Sequence, residues 1–233
     1  GATGVDSGPL SKYLRTLQRL RLVEREVPVT ASKQKSKRSR YRVADEFLRF
    51  WFRYVEPNRS SIEEAPEMVY EGTIEPSLPD HVATTFEDVC LEAAWEAVRR
   101  GRSDPYSEIG RWWYGEDEID IVGLAPSDDR ILLSECTWTA APVGHDLVAT
   151  LEGKAERVRW GPADWDERFA LFSRSGFADG LTDHLGEEWS LFGVEELAEL
   201  FGAPSRWVGA GSPSPIRWTY SFSTSASASA WDS

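Results

Sequence analysis

Near its start the chain has an apolar residue at every third or fourth position, a spacing that places those residues on one face of an α-helix. These positions are Leu10, Leu14, Leu17 and Leu20. Two short strands are predicted next, over 22–27 and 41–43, with a polar loop over 31–40 between them. A helix, a strand, a loop and a strand in this order predict the second half of a winged helix.

A helix rich in aromatic residues is predicted over 46–55. Its aromatic side chains lie on nearly every side, which requires burial against two surfaces. We interpret this helix as a connector between two modules. Residues 61–80 predict a further helix followed by an extended link, which Pro76 and Pro79 close.

Helical and strand patterns alternate along the second module, which is predicted to start near His81. The expected elements are a helix from Thr84 or Thr85 to about Arg99, strands over 109–114, 118–124 and 131–138, a helix over 146–158, a strand over 169–173 and short helices near 177–185 and 194–201. A helix, a three-strand meander, a helix and a further strand predict an α/β fold, in which helices flank a mixed sheet.

These patterns divide the chain into four predicted parts. They are a partial winged helix with a connector helix at 1–57, a linker at 58–80, an α/β domain at 81–203 and a disordered Ser-rich tail at 204–233. No apolar run approaches the length that spans a bilayer, so no membrane contact is expected. Cys90 and Cys136 have neither metal-like nor disulfide-like spacing, which favours a reducing cytoplasm.

Charge is distributed unevenly along the chain. The formal net charge is −13, yet residues 1–60 carry 14 Lys and Arg against 6 Asp and Glu, whereas 61–233 carry 12 against 33. The loop of the predicted wing carries Lys33, Lys35, Lys37, Arg38 and Arg40. This loop predicts contact with DNA phosphates, and a solvated charged hairpin is the alternative. The preference for arginine and carboxylates over lysine resembles the composition of proteins from salt-loving archaea.

Two carboxylates on neighbouring predicted strands are candidate metal ligands. If the second and third strands of the meander pair across their turn, Asp120 and Glu135 lie side by side. Adjacent carboxylates repel unless a cation joins them, and oxygen ligands of this kind suit Mg²⁺ or Mn²⁺. The alternative is that both are carboxylates on a solvated face of the sheet.

Several short motifs in this order carry a resemblance to a known family. They are Leu22-Val23-Glu24-Arg25, Tyr41-Arg42, Phe50-Trp51-Phe52-Arg53, Phe86-Glu87, Gly110-Arg111-Trp112-Trp113, Glu118-Ile119-Asp120 and Glu135-Cys136-Thr137-Trp138. Together they resemble the C-terminal part of an archaeal AAA-type ATPase family, over roughly residues 10–200. The last domain of that family is similar to the PD-(D/E)XK restriction-endonuclease-like superfamily.

The resemblance implies a restriction-endonuclease-like fold with a metal-dependent site. By position, Asp120 and Glu135 match the metal-binding carboxylates, and Glu87 matches the acidic residue that the first helix adds. Mg²⁺ or Mn²⁺ is the implied cofactor and DNA the implied partner. The implied reaction is phosphodiester hydrolysis, in which one or two metal ions activate water and stabilise the leaving oxygen.

One departure from the superfamily concerns its lysine, which follows the glutamate by two residues and is Thr137 here. Lys154 is the candidate replacement, because it shares a predicted helical stripe with Leu147 and Leu151. A lysine on a buried stripe needs partners, and Asp120 and Glu135 are within its possible reach. In the alternative, Lys154 extends to solvent, or the inward face is the one formed by Val148, Leu151, Ala155 and Val158.

Three functions remain open from the sequence. The chain is an active metal-dependent nuclease joined to a DNA-binding ATPase, a nuclease-fold domain that has lost catalysis and regulates by binding DNA or protein, or a structural domain that packs on its own ATPase. The motif GxxxxGK[ST] is absent from the sequence, so the ATP site is expected upstream in a longer protein.

Overall fold

The computed structural model describes residues 7–32, 36–161 and 164–202. Its α-helices are α1 (Ser7–Arg19), α2 (Glu46–Phe50), α3 (Arg59–Glu64), α4 (Pro66–Val69), α5 (Glu75–Arg99), α6 (His145–Ala155), α7 (Leu181–His184) and α8 (Val194–Leu200). Its strands are β1 (Val23–Glu26), β2 (Arg40–Val43), β3 (Glu108–Tyr114), β4 (Asp117–Ala125), β5 (Arg130–Thr137), β6 (Asp166–Ser173) and β7 (Trp189–Phe192). Among the residues described, no helix is both long and apolar enough to cross a membrane.

The N-terminal part contains a two-stranded antiparallel sheet in which β1 pairs with β2. Helix α1 precedes this hairpin, so the predicted order of helix, strand, loop and strand is confirmed. Helix α2 begins after Asp45, whose carboxylate accepts a hydrogen bond from the amide of Leu48. A π-helix over Trp51–Val55 and a 3₁₀ turn over Glu56–Asn58 continue it.

The second part is a five-stranded mixed sheet with the order β3-β4-β5-β6-β7. Strands β3, β4 and β5 form an antiparallel meander, and β6 and β7 then add in parallel. Helix α6 provides the crossover between β5 and β6 that a parallel connection requires. The predicted α/β fold, with a mixed sheet flanked by helices, is therefore confirmed.

The sheet buries an apolar core on each of its faces. Val148 and Leu151 of α6 cover one face, and Cys90 of α5 with other residues of α5 and α8 covers the opposite one. On β5, Leu133 packs in the first core and its neighbour Leu132 in the second. This alternation follows from the two-residue period of a strand, and it determines which helix each side chain of β5 meets.

Two details of the α/β part differ from the expectation. The extended link expected up to residue 80 is helical, because α5 begins at Glu75 and follows a π-helix over Tyr70–Ile74. Pro79 has no N–H to donate, but in a helix that bond would run to the carbonyl of Glu75, the first residue of α5. Only the first hydrogen bond of the helix is therefore lost, and α5 continues. Strand β7 was not predicted, because its four residues carry too short an apolar pattern.

The N-terminal part packs directly against the edge of the five-stranded sheet. Val29 donates its backbone N–H to the carbonyl of Arg111 at 2.9 Å, and its side chain is 9% exposed within the core. A Cβ at Gly110 would lie 3.4 Å from Val29 Cβ, so a larger residue there would press on this contact. The chain after β1 therefore covers part of the outer edge of β3.

Candidate carboxylate and lysine site

The candidate site lies where strands β4 and β5 separate. Their pairing ends at Ile121 and Ser134, and the next residues are Asp120 and Glu135. The register between β3 and β4 also shifts here, so that Asp120 and Ile121 both lie opposite Arg111. Such a bulge changes the direction of a side chain and ends regular pairing. The register thus brings the two predicted carboxylates to the same fork.

A backbone amide holds the carboxylate of Asp120 at this fork. The N–H of Cys136 donates a hydrogen bond of 2.8 Å to Asp120 Oδ2. This bond replaces the backbone pairing that stops one residue earlier.

Lys154 reaches the second carboxylate from helix α6. Its Nζ lies 2.6 Å from Glu135 Oε1, and the side chains of Lys154 and Glu135 are 25% and 10% exposed. The buried residues of α6 are Val148, Leu151 and Ala155. The inward face is therefore the alternative one, yet Lys154 beside it still extends to Glu135. Thr137 does not take part in this ion pair.

Glu87 joins the cluster from helix α5. Its Oε2 lies 3.6 Å from a guanidinium nitrogen of Arg111, which is itself 8% exposed. Burial and the charge of Asp120 raise the pKa of Glu87 to about 7, although Arg111 acts against that rise. Of the four residues predicted as catalytic, Lys154 and Glu135 are in contact, while Glu87 and Asp120 are near enough for their charges to affect one another.

The pKa values of the two other carboxyl groups of the cluster are also raised. Burial and the charge of Asp120 raise the pKa of Glu135 to about 7, although Lys154 opposes this rise. Burial likewise raises the pKa of Asp120, against the amide of Cys136 and the charge of Lys154. Lys154 pairs with Glu135 and Arg111 lies near Glu87, so two cations act on three carboxyl groups and an excess of one negative charge remains when all three are ionised.

An acidic residue that the sequence did not single out organises the neighbouring contacts. Asp88 follows Glu87 on α5, and its carboxylate forms ion pairs with three arginines. The nitrogen–oxygen distances are 2.7 Å to Arg42, 2.6 Å to Arg49 and 2.7 Å to Arg111. Burial acts to raise the pKa of Asp88, but the bonds from Arg42 and Arg111 hold it below its ordinary value. These three guanidinium groups come from β2, α2 and β3. In the sequence, the pair of adjacent carboxylates Glu87 and Asp88 is the feature that could have pointed to Asp88.

The predicted DNA-contacting loop is described only in part. Lys33 and Lys35 lie outside the described residues, and Lys37 is exposed. The guanidinium of Arg38 lies 5.5 Å from the ring centroid of Tyr114. Arg40 bonds to Glu118 at 2.8 Å and lies 4.5 Å from the ring of Trp113, so sheet residues already engage its charge.

The chemistry of the cluster suits a hard cation, because its ligand atoms are carboxylate oxygens. Within the described residues, no three His, Cys, Asp or Glu side chains converge closely enough to enclose a metal ion. Mg²⁺ does not require such an enclosure, since it is usually bound through one or two carboxylates with water and phosphate oxygens. Asp120 and Glu135 are the pair that fits this description.

The fold and the cluster define a mixed α/β domain with a carboxylate and lysine site at a strand fork. The profile of the DUF234 family, described as archaeal and bacterial proteins of unknown function, matches residues 51–151. Glu87, Asp120 and Glu135 lie inside that match, and Lys154 lies just beyond it. This region therefore carries most of the site.

An uncharacterised protein of Methanocaldococcus jannaschii is 35% identical over 136 residues, which are 58% of this chain. The chain spans 30% of the length of that relative. No solved structure matches the chain. The similarity thus relates this chain to part of a longer archaeal protein.

Proposed function

We propose that the cluster of Glu87, Asp120, Glu135 and Lys154 is a metal-dependent site for phosphodiester hydrolysis. The observation that carries the proposal is that Asp120 and the buried, Lys154-paired Glu135 lie at one strand fork, with Glu87 of α5 close enough for the charges to act on one another. Carboxyl groups that raise one another's pKa repel when they are ionised, and a divalent cation relieves that repulsion. The order of helix, meander, helix and strand also agrees with the nuclease resemblance.

The residues at the fork would share the work of binding and positioning. Asp120, held by the amide of Cys136, and Glu135 would bind the cation, and Glu87 would complete its surroundings. A bound Mg²⁺ or Mn²⁺ would supply Lewis-acid stabilisation of charge on the phosphate. Lys154 can offer its ammonium to a phosphate oxygen, a role for which Thr137 has no charge.

The test is calorimetric titration of Mg²⁺ and Mn²⁺ into the full chain, together with nicking of plasmid DNA at high salt. Asp120→Asn and Glu135→Gln remove the charge of each proposed ligand and nearly preserve its size. We expect both variants to lose metal binding and cleavage. We expect Lys154→Met to keep metal binding but to lower the rate of cleavage by about a hundredfold or more.

The matched control is Glu92→Gln, which removes an exposed carboxylate of α5 that pairs with Arg99 outside the cluster. This variant should bind metal and cleave DNA like the wild type. Cleavage that persists unchanged in Asp120→Asn would exclude the site. A wild-type chain that neither binds metal nor cleaves DNA would also reject the proposal, and would favour the DNA- or protein-binding regulator, which the uncharged Thr137 supports.

The longer relative is the reason to consider a larger assembly. We infer that this chain acts beside an ATPase module in a cytoplasmic archaeal protein, with DNA as the shared partner. The basic character of residues 1–60 supports DNA binding, and the two free thiols of Cys90 and Cys136 agree with a reducing compartment. Pull-down of the upstream region of the same gene product by this chain tests the first part, and failure to associate would contradict it.

A further inference from the structure

A groove of about 580 Å³ opens between the loop that precedes β2, the turn that joins β3 to β4 and the chain that follows α6. Its lining includes Arg38, Trp112, Tyr114, Asp117, Arg157 and Arg159. The volume lies within the range of sites that hold small organic ligands. The sequence pointed to the wing, but not to the residues that face it across this groove.

The lining combines an exposed aromatic ring with guanidinium groups. Tyr114 is 61% exposed, and the Arg38 guanidinium lies 5.5 Å from its ring centroid. Arg157 pairs with Asp117, whereas Arg159 donates to the backbone carbonyls of Glu156 and Val158. Three guanidinium groups thus face one carboxylate, so the groove is locally basic in the acidic part of the chain.

The groove and the cluster are built by consecutive stretches of the same two segments. Asp117 precedes Asp120 by three residues along β4, a distance of about 10 Å in a strand. Arg157 follows Lys154 by three residues after the last turns of α6. The groove and the cluster are therefore close to one another along both segments.

We propose that this groove binds single-stranded DNA, with a base stacked on Tyr114 and phosphates against Arg38, Arg157 and Arg159. The proposal rests on the proposed function, because it supplies the strand on which the cluster acts. Single-stranded nucleic acid suits the groove better than a duplex, since a base must leave its stack to meet an exposed ring. Arginine beside the ring adds a contact for phosphate or for the face of the base.

The experiment measures binding of fluorescently labelled oligothymidine, about 10 nucleotides long, to the full chain by anisotropy in EDTA. Tyr114→Ala should raise the Kd about tenfold, because stacking on one aromatic ring is lost. Tyr114→Phe retains the ring and should bind within about twofold of the wild type. Arg159→Ala should weaken binding and reduce the slope of log K against log salt by about 0.7, the effect of one lost phosphate contact.

The controls are Tyr70→Ala and Arg59→Ala, which remove a similarly exposed tyrosine and arginine that do not line the groove. Both should bind the oligonucleotide like the wild type. Wild-type binding in Tyr114→Ala, or a duplex that binds as tightly as the single strand, would overturn the proposal. So would a wild-type chain with no affinity for oligothymidine.

Binding in EDTA separates this proposal from hydrolysis. If Asp120→Asn abolishes cleavage while Tyr114→Ala binds and cleaves normally, the groove is wrong and the hydrolytic site stands. If the wild type never cleaves but Tyr114→Ala loses oligothymidine, hydrolysis is wrong and the groove stands as a binding site.

Discussion

At the scale of single residues, the site depends on how each carboxylate is held. The carboxylate of Asp120 accepts a hydrogen bond from the backbone N–H of Cys136, and that of Glu135 forms an ion pair with Lys154. The carboxylate of Glu87 lies 3.6 Å from the guanidinium of Arg111. Three different partners therefore act on three similar groups. Such differences between neighbouring titratable groups are typical of sites that handle charge, although structural ion pairs also produce them.

The ion pair between Lys154 and Glu135 should contribute to stability as well as to the site. Lys154→Met leaves a mostly buried carboxylate without its cation, and we expect the free energy of unfolding to fall by about 2 kcal/mol at pH 8. Urea denaturation of both single variants and of the Lys154→Met, Glu135→Gln double variant measures the coupling. Additive losses in the double variant would show that the pair contributes nothing.

Stability should also depend on the protonation of Glu135. Because its pKa of about 7 lies above the ordinary value, the folded state holds the proton more tightly than the unfolded state. This contribution is complete below the unfolded pKa and is lost as pH rises through about 7. We expect Glu135→Gln to lose less stability than the wild type between about pH 5 and about pH 8, by on the order of 2 kcal/mol.

Urea denaturation at several pH values measures this difference between the two proteins. Burial lowers the pKa of His81, which acts in the opposite direction, but His81 is present in both proteins and cancels. Glu92→Gln serves as the control and should follow the wild type. Parallel pH profiles for Glu135→Gln and the wild type would contradict the raised pKa.

At the scale of elements, α5 connects the N-terminal part to the sheet. Asp88 of this helix forms ion pairs with arginines of β2, α2 and β3, and the adjacent Glu87 belongs to the candidate site. The helical pattern from residue 84 onward predicted the second half of this helix. The first half was not predicted, because Pro76 and Pro79 are usually signals of an interruption and here lie near the helix start.

Removal of the charge of Asp88 should loosen the N-terminal part before it unfolds the sheet. Asp88→Asn leaves three largely buried guanidinium groups without their shared carboxylate, and we expect a loss of about 3 kcal/mol. Hydrogen exchange should show the largest loss of protection in β1, β2 and α2. Equal protection in Asp88→Asn and the wild type would mean that apolar contacts such as that of Val29 hold the two parts together.

At the scale of the whole molecule, charge sets how the chain responds to salt. Residues 61–233 carry 33 Asp and Glu against 12 Lys and Arg, so carboxylates on the α/β part repel one another at low ionic strength. Added salt shortens the range of this repulsion. The same salt weakens exposed ion pairs such as that of Arg40 with Glu118, but such pairs contribute little.

We therefore expect the Tm of the full chain to rise as KCl increases from about 0.05 M to about 0.5 M, a range over which the Debye length becomes much shorter. Differential scanning calorimetry measures this change. Replacement of several exposed carboxylates of the α/β part by amides should reduce the rise. A Tm that falls with KCl would mean that ion-pair networks, and not net repulsion, dominate the electrostatics.

The sequence by itself determined the order of the main helices and the three-strand meander, because strand and helix periods are local properties of the chain. The direction of the Asp120 side chain was not among them, because the register shifts at this point of β4. Only the tertiary structure decided that Lys154 reaches Glu135, that Cys136 holds Asp120 and that three arginines converge on Asp88. These contacts join residues 16 to 46 positions apart. Packing and burial, which no local pattern contains, determine both the distances and the raised pKa values.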